Sequence, residues 1–419
     1  MVANIEVWVD LGGYDALAGT VYSHRRRQTE SATFIYDASW LARPDTYELD
    51  PALPLVSGGH QTPDGRAIFG AFADSSPDRW GRNLVLHAER LRARDQSTTS
   101  RSFGEFDLLL GVRDDLRQGA LRFRVDKNGP FLATEQAGVP VLTDLASLLN
   151  ASDRAGTDEA SRDDLAALLR AGSSLGGARP KAHVLDAAGR LAIAKFPSPS
   201  TDRWNVMAWE KTALDLAALA GINTAKSQLI QVGGRDVLVV DRFDRDGDIR
   251  IGYVSAITMV EARDGDHRSY LDIAGIIEQR SPAATSDLRQ LWRRIALSVL
   301  ISNTDDHLRN HGFVHHSADS WVLSPAFDIN PNPDPGPKHL ATAIEVDDTT
   351  ASIDNLMRVA PLFRLDHDSS VHVLHDVVGA TRQWKQVARS HGLTGPDVDN
   401  MAPAFEHAAS RAAAELTGH

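Results

Sequence analysis

The chain has 419 residues, of which 42% are hydrophobic and 24% charged, which suits a globular protein of two or three domains. Its 44 basic and 56 acidic residues leave a formal charge of −12, which argues against broad non-specific nucleic-acid binding, since that needs a basic face. Cysteine is absent, which excludes disulfides, thiol nucleophiles and Cys-ligated metals, and with no long apolar run or signal-peptide pattern the expectation is a soluble, cytoplasmic protein with no membrane partner.

Along the chain, Ile5, Val7, Val9 and Leu11 alternate with the period of a half-buried strand. Strands are expected again at 17–22 and 32–36, with the basic run Arg25 to Arg27 in the turn between them. Ser76, Pro77 and Asp78 read as an N-cap, a first-turn proline and a first-turn acid of a helix through Trp80, Leu84 and His87. Residues 126–160 hold scattered Pro, Gly and Ser and read as a linker region. Leu165, Leu168 and Leu169 then give a helix closed by Gly172. A Gly-rich loop runs to Lys181 and precedes a hairpin over 182–185 and 191–196. A helix over about 205–220 is followed by a second hairpin turning at Gly233 and Gly234. From about 266 the pattern is helical, with Leu288, Leu291, Trp292, Ile295 and Val299 on one stripe, and with an Ala-rich, helix-prone tail over 402–416.

The strongest chemical cluster is Asn303 to Asn310, just past that stripe. Asp305 and Asn310 have the Asp-x-x-x-x-Asn spacing of phosphoryl-transferase catalytic loops. In those loops the Asp accepts the proton of the attacking hydroxyl and the Asn offers an amide oxygen to Mg2+. Read alone, the segment also fits a polar loop capping a helix. Asp328, past the apolar run Trp321 to Leu323, stands where kinases carry a second Mg2+ carboxylate, although a single Asp there is also a common turn residue.

Lys195 ends an apolar strand and could meet phosphate oxygens as a point charge, or simply guard a sheet edge. Glu210 lies on the apolar face of the 205–220 helix with Val206, Ala213, Leu214 and Ala217. A buried carboxylate there needs a partner, and a Lys–Glu pair that orients Lys195 is the arrangement kinases use. Gly176 and Gly177 would let backbone N–H groups approach phosphates, but the loop is not a Walker A motif and equally fits a plain flexible loop. Asp241, Arg242 and Phe243 follow the second hairpin, where a backbone could read adenine or where a charged loop could sit. The histidines lack a His-Glu-x-x-His pattern, so His307 reads as an orienting partner within its loop.

Together these segments resemble the HipA family of serine/threonine kinases, the toxin halves of type II toxin–antitoxin modules. The likeness runs in order through Phe106 to Asp115, Gly119 to Phe123, Ser174 to Lys181, Ala194 to Pro197, Glu210, Asp241 to Arg245, Asn303 to Asn310 and Pro325 to Asp328. It implies an α+β, bilobal kinase-like fold. The strand-rich N-terminal part would carry the Gly-rich loop, and the C-terminal lobe would be mainly helical. The expected divisions are a β-rich domain at 1–125, the linker at 126–160, a nucleotide-binding lobe at 161–245 and a catalytic lobe at 246–419.

Asp305 would be the catalytic aspartate, and Asn310 and Asp328 would bind Mg2+. ATP would meet Leu175, Gly176, Gly177, Ala178, Arg179, Pro180 and Lys181 over its phosphates, with Lys195, His307 and Asn310, and the backbone of Asp241, Arg242 and Phe243 at adenine. Ser174 would be autophosphorylated, shutting the enzyme off. The protein substrate would belong to translation, chiefly an aminoacyl-tRNA synthetase. A helix-turn-helix antitoxin of the HipB type would be the partner and would carry most of the DNA binding. Asp306, adjacent to Asp305, is the residue most easily confused with the base. A small-molecule kinase and a catalytically idle kinase-fold binding module stand as alternatives.

Overall fold

The computed structural model describes residues 4–26, 29–125, 127–132, 139–157, 159–172 and 179–419. The chain divides into two compact units. One comprises Met1–Thr201, Val232–Val254 and Val314–Asp319, and the other Asp202–Gln231, Ser255–Phe313 and Ser320–His419.

The first unit opens with strands β1 (Asn4–Asp10), β2 (Asp15–Arg26), β3 (Thr29–Tyr36) and β4 (Gly59–Gln61). With β5 (Leu121–Arg124) they form an antiparallel sheet in the order β4-β3-β2-β1-β5. Ile5, Val7 and Val9 are buried, as their alternation requires, while Phe34, Phe69, Phe72 and Phe123 meet edge to face behind the sheet. Two residues of the basic run are not in the expected turn, and the third, Arg27, lies outside the described residues. Arg25 and Arg26 extend β2 and pair in register with Glu30 and Thr29, because a long two-stranded ribbon satisfies their backbone groups.

The helix Arg79–Asp95 starts later than its sequence suggests. Its N-cap is Asp78, not Ser76, whose hydroxyl instead donates to Phe72 O at 2.9 Å. The segment expected to be a linker contains the helix Leu145–Gly156, which packs on the helix Arg162–Arg170. Leu145, Leu148, Leu149, Ala151 and Ser152 are its buried face. Gly172 follows at φ +72°, a left-handed closure that suits glycine. A Cβ there would come within 2.6 Å of Leu116.

Strands β6 (Lys181–Leu185) and β7 (Leu191–Lys195) form the expected antiparallel hairpin. β8 (Ser227–Val232) and β9 (Arg235–Asp241) follow, and β9 pairs with β7. Gly233 and Gly234 both have positive φ, as a type I′ turn demands.

The second unit is mainly helical. Val206–Leu219 is capped by Asn205 and buried on most sides. Ala284–Leu300 buries Leu288, Leu291, Trp292, Ile295 and Val299, packing on Tyr270–Arg280 and His367–Thr381. The tail is helical, over Gly395–Phe405 and Ala408–Thr417. No helix of the described residues is long and apolar enough to cross a membrane.

Candidate active site

The helix Ala284–Leu300 ends at a left-handed residue, Ser302 (φ +54°), whose buried hydroxyl donates to Ala404 O at 3.1 Å. That reversal starts the 303–310 loop. The Asn303 amide donates to Ser298 Oγ at 3.3 Å, and its carbonyl oxygen accepts the Asn330 N–H at 3.2 Å. Thr304 Oγ1 accepts from the Asn332 amide at 2.8 Å. The loop is thereby laced to the 328–332 segment by short polar side chains.

The two adjacent aspartates part company here. Asp306 is buried. One carboxylate oxygen accepts from Tyr270 Oη at 2.6 Å and Ser298 Oγ at 2.9 Å, and the other lies 3.0 Å from His311 Nε2. Burial pushes its carboxyl up, but His311 and the two hydroxyls outweigh burial and hold it below the ordinary aspartate value. Thr342 Oγ1 donates to its carbonyl at 2.7 Å.

Asp305 is exposed, and no hydrogen bond to its carboxylate comes from the described residues around it. It is positioned through its backbone, since its carbonyl accepts from His307 N at 2.9 Å and from the Asn310 amide at 3.1 Å. Its carboxyl titrates above the ordinary value. Partial burial is the largest cause; His307 opposes it, and the Asp328 and Asp306 charges add to it. Asn310 closes the short turn Leu308–Asn310, and its N–H donates to His307 O at 2.9 Å.

Asp328 belongs to the same unit. Its φ is +57°, a conformation that Asp tolerates better than most residues. It follows Ala326, which is held between Asn223 and Ala225 by backbone bonds of 2.8 and 2.9 Å. The Asn330 amide donates to Asp328 Oδ1 at 3.2 Å. Glu210 is buried in the helix Val206–Leu219, as its spacing indicated.

The first unit carries the other candidates. Lys195 ends β7, with Lys181 opposite it on β6 and Leu238 opposite it on β9. Pro180 O accepts the Phe196 N–H at 2.9 Å, lengthening that ladder beside Arg179. Lys181 is buried and its ammonium lies 2.6 Å from the carboxylate of Asp78, a side chain that is buried too. Burial pushes the Asp78 carboxyl up and Lys181 opposes the rise.

Asp241 ends β9 in register with Ala192, and Phe243 tilts against Tyr253 at 5.9 Å between ring centroids. The Arg242 side chain is committed elsewhere, donating to Leu116 O, Arg117 O and Asp244. Ser174, Leu175, Gly176, Gly177 and Ala178 lie outside the described residues.

Sequence reasoning missed the partners that hold these candidate side chains. Tyr270, Ser298, His311, Asn330 and Asp78 are distant or ordinary in sequence. Only Asp78, already noted at a helix start, carried any local signal.

Residues 173–413 match the HipA-like C-terminal domain and residues 10–124 the HipA N-terminal domain. The chain belongs to the HipA family. Among solved structures it is similar to the Shewanella oneidensis MR-1 toxin–antitoxin system HipA, in a complex with HipB and its operator DNA. That likeness has a TM-score of 0.64 at 15% identity, covering 99% of this chain and 96% of that one, and it describes the fold. A Helicobacter pylori proinflammatory kinase, CtkA, has a TM-score of 0.43 at 14% identity over 58% of this chain and 95% of its own. A putative kinase from Sinorhizobium fredii, Y4dM, is 27% identical over 172 residues, 39% of this chain and 37% of that protein. The chain thus spans little more than a third of that curated relative's length.

Proposed function

We propose that this protein is an Mg-ATP-dependent protein serine/threonine kinase of the HipA type. The observation that carries the reading is the division of labour between Asp305 and Asp306. Asp306 is saturated by Tyr270, Ser298 and His311, whereas Asp305 is exposed on a fixed backbone with its carboxyl pushed up. A general base needs a reachable carboxylate first and a suitable pKa second. Asp305 is reachable and its carboxyl is shifted in the direction the second demand asks, so it would receive the proton of the attacking serine or threonine hydroxyl.

Asn310 and Asp328 fit a hard cation. The Asn310 amide nitrogen is spent on Asp305 O, which leaves the amide oxygen as donor, and Asn330 restrains one oxygen of Asp328. Among the described residues, no group of three or more His, Cys, Asp or Glu could hold a metal. The cation is therefore expected together with nucleotide phosphates, where it would neutralise charge on the transferred group. Lys195 and residues 175–181 would serve the ATP phosphates, Glu210 would have the role of orienting that lysine, His307 would assist ATP binding, and the 241–243 backbone would serve adenine.

Ser174 would be the self-phosphorylated residue, and a protein of translation such as an aminoacyl-tRNA synthetase the substrate. A HipB-type helix-turn-helix antitoxin would be the partner, bringing DNA only indirectly. The support is family membership and the Shewanella HipA relative's complex with HipB and operator DNA.

Transfer from labelled ATP to protein hydroxyls is the test. Asp305→Asn should lower transfer by about 10²–10⁴-fold while Mg-ATP binding persists. Undiminished transfer in that variant, or phosphate passed only to small alcohols, would overturn the assignment.

A further inference from the structure

We propose that Asp78, in the N-terminal domain, is a positioning residue for the nucleotide site and acts through Lys181. The inference rests on the kinase reading and adds to it a residue that no catalytic-loop motif contains.

Asp78 has two duties on two oxygens. Oδ1 caps the helix Arg79–Asp95 by accepting the Gly81 N–H at 2.7 Å, and Oδ2 accepts from Lys181 Nζ at 2.6 Å. Both side chains are almost wholly buried, with 3% and 4% exposure. A carboxylate fixed to the start of a 17-residue helix is a rigid anchor, and the helix N-terminus favours its negative charge.

Lys181 is the first residue of β6 and stands directly opposite Lys195 in the antiparallel ladder. Directly opposed residues share one face of a sheet at about 5 Å between Cβ atoms, and like charges there are destabilising. Asp78 supplies the compensating charge to one lysine of the pair. The ammonium of Lys181 is thereby drawn to the N-terminal domain, and the strand end that Lys195 shares is fixed with it.

A second contact between the same parts of the chain points the same way. Arg242, next to the residue that ends β9, donates to the carbonyls of Leu116 and Arg117 at 2.7 and 3.0 Å. Two strands of the nucleotide-binding sheet are thus held by residues of the N-terminal domain. Lys181 on this account anchors the sheet in addition to its proposed place at the phosphates.

The test is a double-mutant cycle in the full chain, reading Mg-ATP affinity, the KM for ATP, kcat and the unfolding midpoint. Asp78→Asn keeps a good helix cap and removes the charge. It should weaken ATP binding about tenfold and raise the KM for ATP while kcat changes little. Lys181→Met should do the same, and the double variant should be no worse than either single one. Asp78→Glu should recover part of the loss.

Additive effects, or unchanged ATP affinity in both single variants, would overturn the inference while leaving the kinase reading intact. Should Asp78→Asn fail to fold, Asp78→Ser decides, because it too keeps a good helix cap and removes the charge. Wild-type protein that binds no ATP would overturn the kinase reading and this inference together.

Discussion

Asp305 and Asp306 have the same side chain on neighbouring positions, and a single peptide step sends them to opposite environments. Asp306 turns into the unit, where Tyr270, Ser298 and His311 replace the water it loses. Asp305 turns out, and among the described residues it is held through its carbonyl. Removing one partner of a buried charged cluster strands the others, so Asp306→Ala should cost about 3–5 kcal/mol at pH 7. The exposed Asp305→Asn should cost no more than about 0.5 kcal/mol. The folded-state pKa of Asp306 lies below its ordinary value, so its stabilisation is complete above the unfolded aspartate pKa of about 3.9. That stabilisation is lost as pH falls through the lowered folded value, and the gap between wild type and Asp306→Ala should narrow there. Urea titrations at neutral and acid pH measure this, and equal losses for the two variants would contradict the division of roles. The Asp-x-x-x-x-Asn spacing made the loop legible, yet it could not distinguish the two carboxylates. The residues that do so, Tyr270 and Ser298, approach only when their helices pack.

At the scale of elements, the strands and hairpins were readable because two-residue alternation and paired glycines are local signals. The helix Leu145–Gly156 was not, because Asn150, Ser152, Asp153 and Gly156 give the segment a loop composition. Its apolar positions nonetheless recur at helical spacing, and tertiary packing on Arg162–Arg170 outweighs the poor propensity. The Arg154–Asp164 ion pair is a surface addition to that packing. If packing is what forms this helix, Leu149→Ala should destabilise the protein by about 2–5 kcal/mol and lower helical circular dichroism near the unfolding midpoint. A change below about 0.5 kcal/mol would mean the helix is incidental to the fold. The displaced cap at Asp78 has a similar cause. Ser76 has the right chemistry, but its hydroxyl is already engaged by Phe72 O, and a local motif cannot report that competition.

At the scale of the whole molecule, contacts between remote stretches of chain decide what the charged run 241–245 does. In sequence it fits either a nucleotide hinge or a solvated loop. Folded, Asp244 is buried between Arg242 and Arg245 and also accepts the Gly119 N–H at 2.7 Å. Arg242 and Arg245 in turn donate to carbonyls of residues 116–119, more than a hundred residues away, so no local pattern could announce the arrangement. Burial pushes the Asp244 carboxyl up, but Arg242, Arg245 and the Gly119 N–H outweigh it and hold the group far below its ordinary value. Its contribution to stability is therefore present at all pH values above the unfolded aspartate pKa and lost only in strong acid. Burial meanwhile pushes Arg245 down to about 9, with Arg242 adding to the fall and Asp244 opposing it. Asp244→Ala would leave two buried cations facing each other, and the expected loss is about 3–5 kcal/mol at pH 7. Because Asp241 to Phe243 lie on the same segment, ATP affinity should fall with stability in this variant, whereas in Asp306→Ala stability should fall first. Calorimetric unfolding beside nucleotide titration separates the two. An Asp244→Ala protein with wild-type stability and wild-type ATP affinity would show that the 116–119 contacts do not hold the 241–243 segment.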